Sequence, residues 1–127
     1  MILGIGVDLV PVARMERVLR SRWAERFVLR VFLPEEVIHC KNAPDPAQSY
    51  AARFAAKEAL AKALGTGFTR GVGPGNILVA GSEASRPEIV LTGRASELAR
   101  NMHVTSIHVS LSHTHETAAA FVIVETA

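Results

Sequence analysis

With 127 residues, 49% of them apolar and 20% charged, the chain is long enough to bury one core, and its composition is neither disordered nor fibrous. That length fits a single domain over residues 1–127, and a lone cysteine, Cys40, excludes an internal disulfide framework and fits a reducing compartment. No apolar run approaches a membrane span and Met1-Ile2-Leu3-Gly4-Ile5 lacks the basic flank of a signal peptide, so a soluble cytoplasmic protein is expected.

Residues 2–8 form a short apolar run ending in Gly6-Val7-Asp8, which reads as a buried strand. Pro11 suits the first turn of the helix that follows, in which Val12, Met15, Val18 and Leu19 recur at helical spacing and leave Arg14, Arg17 and Arg20 on the outer faces. The net charge is only +2, yet Arg14, Arg17, Arg20, Arg22, Arg26 and Arg30 face only Glu16 and Glu25 in the same stretch. Guanidinium forks suit phosphates and carboxylates, so this cluster predicts an anionic partner; a merely solvated helix face is the bland alternative. Trp23, Phe27 and Val28 continue a second helix, and Pro34-Glu35-Glu36 opens a third that ends near Cys40. Ala47 to Leu64 is nearly all good helix formers and Gly65 supplies the stop. A glycine-rich loop over 65–75 precedes strands at 77–80 and 88–91, joined by a turn around Gly81-Ser82 and Ser85-Arg86-Pro87. A short helix over 93–102 and a closing hairpin, 105–111 with 118–124, complete the chain. Helices and strands are partly segregated, which predicts α+β architecture.

The long helix places Phe54, Glu58 and Lys62 on one line, with alanine and leucine around most of the remaining circumference, so it should be central. A Glu58–Lys62 salt bridge is the plain reading of that spacing. Asp8 is the second acid in an apolar segment, and as a lone residue it reads as a helix cap. Together, however, two carboxylates are the usual protein contribution to a Mg²⁺ site completed by water and phosphate. His113-Thr114-His115 offers a rival zinc site, although it falls where the hairpin turns and no third ligand is evident. Cys40 reads as a small core residue. The glycines at Gly65-Thr66-Gly67 match no phosphate-binding fingerprint and read as a helix cap and turn, open to close approach by a phosphate.

Gly4-Ile5-Gly6-Val7-Asp8, and Arg53-Phe54-Ala55-Ala56-Lys57-Glu58-Ala59-Leu60-Ala61-Lys62-Ala63-Leu64-Gly65-Thr66-Gly67 in the middle of the chain, resemble the two signatures of the holo-[acyl-carrier-protein] synthase family of 4′-phosphopantetheinyl transferases. The resemblance spans nearly the whole chain. It implies a small antiparallel sheet packed with a long central helix, assembled as a homotrimer with coenzyme A at the cleft between subunits. It also implies Mg²⁺-dependent transfer of the phosphopantetheine arm of coenzyme A to a serine of apo acyl carrier protein, releasing adenosine 3′,5′-bisphosphate. By matching position, Asp8 and Glu58 would hold the metal, and Lys62 would reach the pyrophosphate. Arg53, His113 and Thr114 would contact the phosphorylated adenosine end, and Gly65 and Thr66 would line the same cleft. Arg14 matches a basic position used against the carrier protein, while Arg17, Arg20 and Arg22 join it on charge alone. Val10 and Pro11 stand where an acid would be needed for the D-x-E pair of the larger transferases or for many short relatives, which leaves a metal with two protein carboxylates. Neither membrane nor nucleic acid is expected as a partner. The competing readings are a small Arg-rich nucleic-acid-binding module and a zinc-binding hydrolase using His113 and His115.

Overall fold

Pro11, with φ fixed at −63°, ends the first strand and caps the helix after it. In the computed structural model, which describes residues 1–81 and 86–127, β1 (Ile2–Pro11) leads into α1 (Val12–Arg20), α2 (Ala24–Val31) and α3 (Pro34–Lys41). The long α4 (Pro46–Ala63) follows, then β2 (Ile77–Ala80), β3 (Glu88–Leu91), α5 (Gly93–Asn101), β4 (Ser106–His113) and β5 (Thr117–Glu125). β1, β5 and β4 form an antiparallel sheet in that order, and β2 and β3 form a separate antiparallel ribbon. The architecture is α+β, as expected. Ser82 and Ser85 of the turn read between β2 and β3 lie outside the described residues.

Local chemistry explains the helix ends. Asp45 accepts a hydrogen bond from the Gln48 backbone N–H at 3.2 Å with Pro46 behind it, an N-cap that starts α4. Gly65, at φ +85°, lets the chain turn back so that its N–H reaches the Lys62 carbonyl at 2.9 Å. In between, Ala51, Ala55, Ala56, Ala59 and Leu60 are fully buried, so α4 is the central element, packed on β1 and β5. The closest approach is at β1, where a Cβ on Gly4 or Gly6 would overlap the carbonyl oxygens of Ala63 and Ala59.

β1 departs from the buried strand read over 2–8. It runs on to Pro11, and only its inward face is covered: Gly6 and Val10 are buried, whereas Ile5 and Leu9 are 55% and 64% exposed. The sheet has a single layer of helix against it, so one face stays bare in the isolated chain. Val7 and its cross-strand partner Phe121 also lie exposed on that face. Among the described residues no helix is long and apolar enough to cross a membrane.

Candidate active site

Gly4, Gly6 and Asp8 alternate onto the inward face of β1, so the glycine contact with α4 carries Asp8 up against the helix at Glu58. The Asp8 side chain is 10% exposed, and among the described residues its buried Oδ2 has no hydrogen-bond partner. Burial pushes the Glu58 carboxyl up from the ordinary carboxylate range; the neighbouring Asp8 carboxylate raises it further, and Lys62 and Arg14 oppose this. Lys62 Nζ lies 2.9 Å from Asp8 Oδ1 and donates to the Val7 carbonyl at 3.2 Å, and the Asp8 bond raises its pKa. The expected Glu58–Lys62 bridge is therefore replaced: β1 lies so close to α4 that Asp8 takes the ammonium. An ammonium has three donors, and these two bonds leave Lys62, half-exposed, one more to offer an anion.

Two neighbouring carboxylates, one with a buried oxygen that no donor among the described residues satisfies, fit a hard divalent cation that takes oxygen ligands and keeps its own water. The zinc reading fares differently. β4 ends at His113 and His115 lies in the turn, so strand alternation cannot aim both rings at one point, and among the described residues no group of three ligating side chains exists.

The remaining residues of the expected site lie elsewhere. Arg53 is buried on the opposite flank of α4 and donates from its Nη2 to the Gly81 carbonyl at 2.8 Å. Its Nε is buried without a hydrogen-bond partner among the described residues, an orphan donor that an anionic oxygen would satisfy. It borders a cleft of about 570 Å³ together with Gln48, Ser49, Arg86, Ser110 and His113. Thr114 stands beside this cleft at the hairpin turn, its hydroxyl accepting from the N–H groups of Glu116 and Thr117 and its carbonyl from Gln48 Nε2. From Arg53 to Lys62 is about half a turn around the α4 axis and about 13 Å along it. The structure thus gathers Asp8, Glu58 and Lys62 on the β1 side, with Gly65 and Thr66 just past the end of α4, and gathers Arg53, His113 and Thr114 on the other side. Thr66 turns its hydroxyl onto the Gly67 carbonyl at 2.7 Å.

Arg14 is exposed and near enough to Glu58 to act on its charge, so the basic helix α1 borders the carboxylate side. Arg17 is exposed, Arg20 pairs with Glu16 at 2.7 Å, and Arg22 lies 4.6 Å over the Trp23 ring. The sequence reading places Glu36 at a helix start and Lys57 in a signature but misses that they meet, in a buried pair at 2.7 Å. A lysine flanked by Ala55, Ala56 and Ala59 on a helix apolar on most sides was the available signal, because a buried ammonium requires an acid.

Comparison with known proteins points to one class. The chain belongs to the 4′-phosphopantetheinyl transferase superfamily, whose family model matches residues 4–122. Within it, the chain is 44% identical to the holo-[acyl-carrier-protein] synthase of Desulfovibrio desulfuricans over 98% of both proteins. The crystal structure of holo-[acyl-carrier-protein] synthase from Neisseria meningitidis superposes with a TM-score of 0.88 at 35% identity, covering 99% of this chain and 100% of that one. The Helicobacter pylori enzyme, solved in complex with coenzyme A, gives 0.83 at 32% identity, covering 95% and 99%.

Proposed function

We propose that this chain acts as a holo-[acyl-carrier-protein] synthase, transferring the 4′-phosphopantetheine group of coenzyme A to a serine of apo acyl carrier protein and releasing adenosine 3′,5′-bisphosphate. The observation that carries the reading is the Asp8–Glu58 carboxylate pair, with its unsatisfied buried oxygen, in a chain similar throughout its length to enzymes of that name. Asp8 and Glu58 would hold Mg²⁺, which supplies neutralisation of charge on a pyrophosphate. Lys62 fixes Asp8 and offers its remaining donor to the same phosphates. Arg53, with an orphan Nε, His113 and Thr114 receive the phosphorylated adenosine end; Gly65 and Thr66 line the arm between. Nothing in this arrangement asks for a covalent nucleophile, since phosphoryl transfer is served by positioning and electrostatics.

The two groups of residues lie on opposite flanks of α4, so one substrate reaches both only if the site is completed by a neighbour. A homotrimer with coenzyme A between subunits accounts for this, and the bare apolar face of β1 and Phe121 is a surface for such contact. Arg14, Arg17, Arg20 and Arg22 face the acidic carrier protein beside the carboxylate half. A cytoplasmic setting suits Cys40, a buried free thiol.

The test is mass spectrometry of an apo carrier protein incubated with the chain, coenzyme A and Mg²⁺. A gain of about 340 Da, the mass of the transferred arm, is expected. Its absence across carriers and metals would refute the reading.

A further inference from the structure

Among the described residues, the most buried charges are not those of the carboxylate site. Glu36, in the first turn of α3, and Lys57, on α4, pair at 2.7 Å with both side chains wholly out of solvent. The Lys57 ammonium also donates to the carbonyls of Pro74 at 2.9 Å and Ile77 at 2.7 Å, which uses all its donors. Glu36 accepts from the backbone N–H of Leu33 at 2.9 Å and of Val79 at 3.1 Å. Ile77 and Val79 turn these groups to the edge of β2 that β3 leaves unpaired, and Gly81, one step past the strand, gives its carbonyl to Arg53 on the same side. Charged side chains of α3 and α4 therefore stand where a third strand of the ribbon would be.

We infer that the Glu36–Lys57 pair is a positioning device for the carboxylate site, fixing the roll of α4 about its axis and so the direction from which Glu58 meets Asp8. The inference rests on the transferase reading above. Helices lock against their neighbours through ridges of large side chains seated in grooves. α4 offers little of this on its β1 side: Ala59 and Ala63 meet Gly4 and Gly6, backbone against backbone. A surface that smooth resists sliding poorly, and directional bonds must supply the register. Lys57 precedes Glu58 by one residue, about 100° around the helix, and is anchored by its bonds to three other segments. A carboxylate about 6 Å from the helix axis moves about 1 Å for a roll of about 10°. Stability alone does not require the charges, because an apolar pair of similar volume commonly serves as well in a core.

The experiment compares the wild type with Glu36→Asp, which keeps the charge but withdraws the carboxylate, and with the double variant Glu36→Leu/Lys57→Met, which removes both charges together. Melting by circular dichroism, steady-state transfer to apo carrier protein and calorimetric titration with Mg²⁺ alone are measured for each. Cooperative melting, kcat lower by about tenfold to a hundredfold with the KM for coenzyme A within about threefold of wild type, and Mg²⁺ affinity lowered in parallel support the inference. Wild-type kcat in either folded variant, a rise in KM in place of the fall in kcat, or unchanged Mg²⁺ affinity overturns it. If the double variant does not fold, Glu36→Asp decides by the same criteria; failure of both to fold assigns the pair to stability and overturns the inference. A wild type that binds Mg²⁺ but transfers nothing overturns the transferase reading first, and the inference with it.

Discussion

Chains carrying Glu58→Gln and chains carrying Arg53→Ala, mixed in equal amounts and refolded together, distinguish a site shared between subunits from one held within a single chain. The first variant loses a carboxylate on the β1 side of α4, and the second loses a guanidinium that borders the cleft on the other side. Arg53 and Glu58 lie five residues apart on α4, about 7.5 Å along it and about 140° around it, with a helix body about 10 Å across between their side chains. No chain in the mixture has both halves intact. If each site joins the carboxylate half of one chain to the guanidinium half of the next, each half is intact in about one case of two. About one quarter of the sites in the mixed rings are then fully native. Removing a charged hydrogen-bond partner costs about 1.5–3 kcal/mol, so the Arg53→Ala parent should bind coenzyme A about tenfold or more weakly, and Glu58→Gln should be nearly inactive at any substrate level. Initial rates on apo carrier protein, read by mass or by labelled coenzyme A at a level near the wild-type KM, should show the mixture recovering about a quarter of wild-type activity. A mixture no faster than the average of its parents would refute the shared site.

Other outcomes follow from the same geometry. Without divalent cation, Glu58 favours its protonated form in the folded chain, so its contribution to stability is present below the ordinary carboxylate pKa and is lost as pH rises through the elevated folded value. Glu58→Gln should thus match the wild type near pH 4 and melt a few degrees higher at pH 8, a gain held under about 1 kcal/mol by solvent screening; an equal or lower melting temperature at pH 8 would contradict the raised pKa. Gly6→Ala should destabilise by about 3 kcal/mol or more in chemical denaturation, because its methyl meets the backbone of Ala59 and no side chain can yield; a loss below about 1 kcal/mol would show that β1 moves freely off α4. Arg14→Glu should raise the KM for the carrier protein far more than that for coenzyme A, and equal effects would return α1 to an ordinary solvated face.

The parts of this molecule visible in the sequence are those written in local chemistry. α4 announces itself through alanine from Ala47 onward and Gly65 at its end, and the hairpin of β4 and β5 through its apolar runs. Asp8 and Glu58 stood out as acids in apolar surroundings, and the two family signatures placed them in one site. What stayed hidden depends on distance in space. Glu36 precedes Lys57 by 21 residues, and no periodicity reveals that the two meet. The choice of Asp8 over Glu58 as the partner of Lys62 follows from the glycine contact between β1 and α4, which spacing along the helix does not show. The exposure of Ile5 and Leu9 depends on how many layers cover the sheet, and the division of the site between two flanks of α4 on the turn-by-turn direction of side chains that a motif lists together.

The glycine contact also bears on how this chain can change. Where β1 and α4 touch backbone to backbone, no larger side chain can be admitted and none remains to be trimmed, so the carboxylate half offers no freedom to a sequence under selection. The opposite flank is built from side chains around an open cleft, each able to be exchanged by itself. If that cleft takes coenzyme A as proposed, adaptation to an altered substrate would accumulate around Gln48, Ser110 and His113, while Gly4, Gly6 and Asp8 stayed as they are.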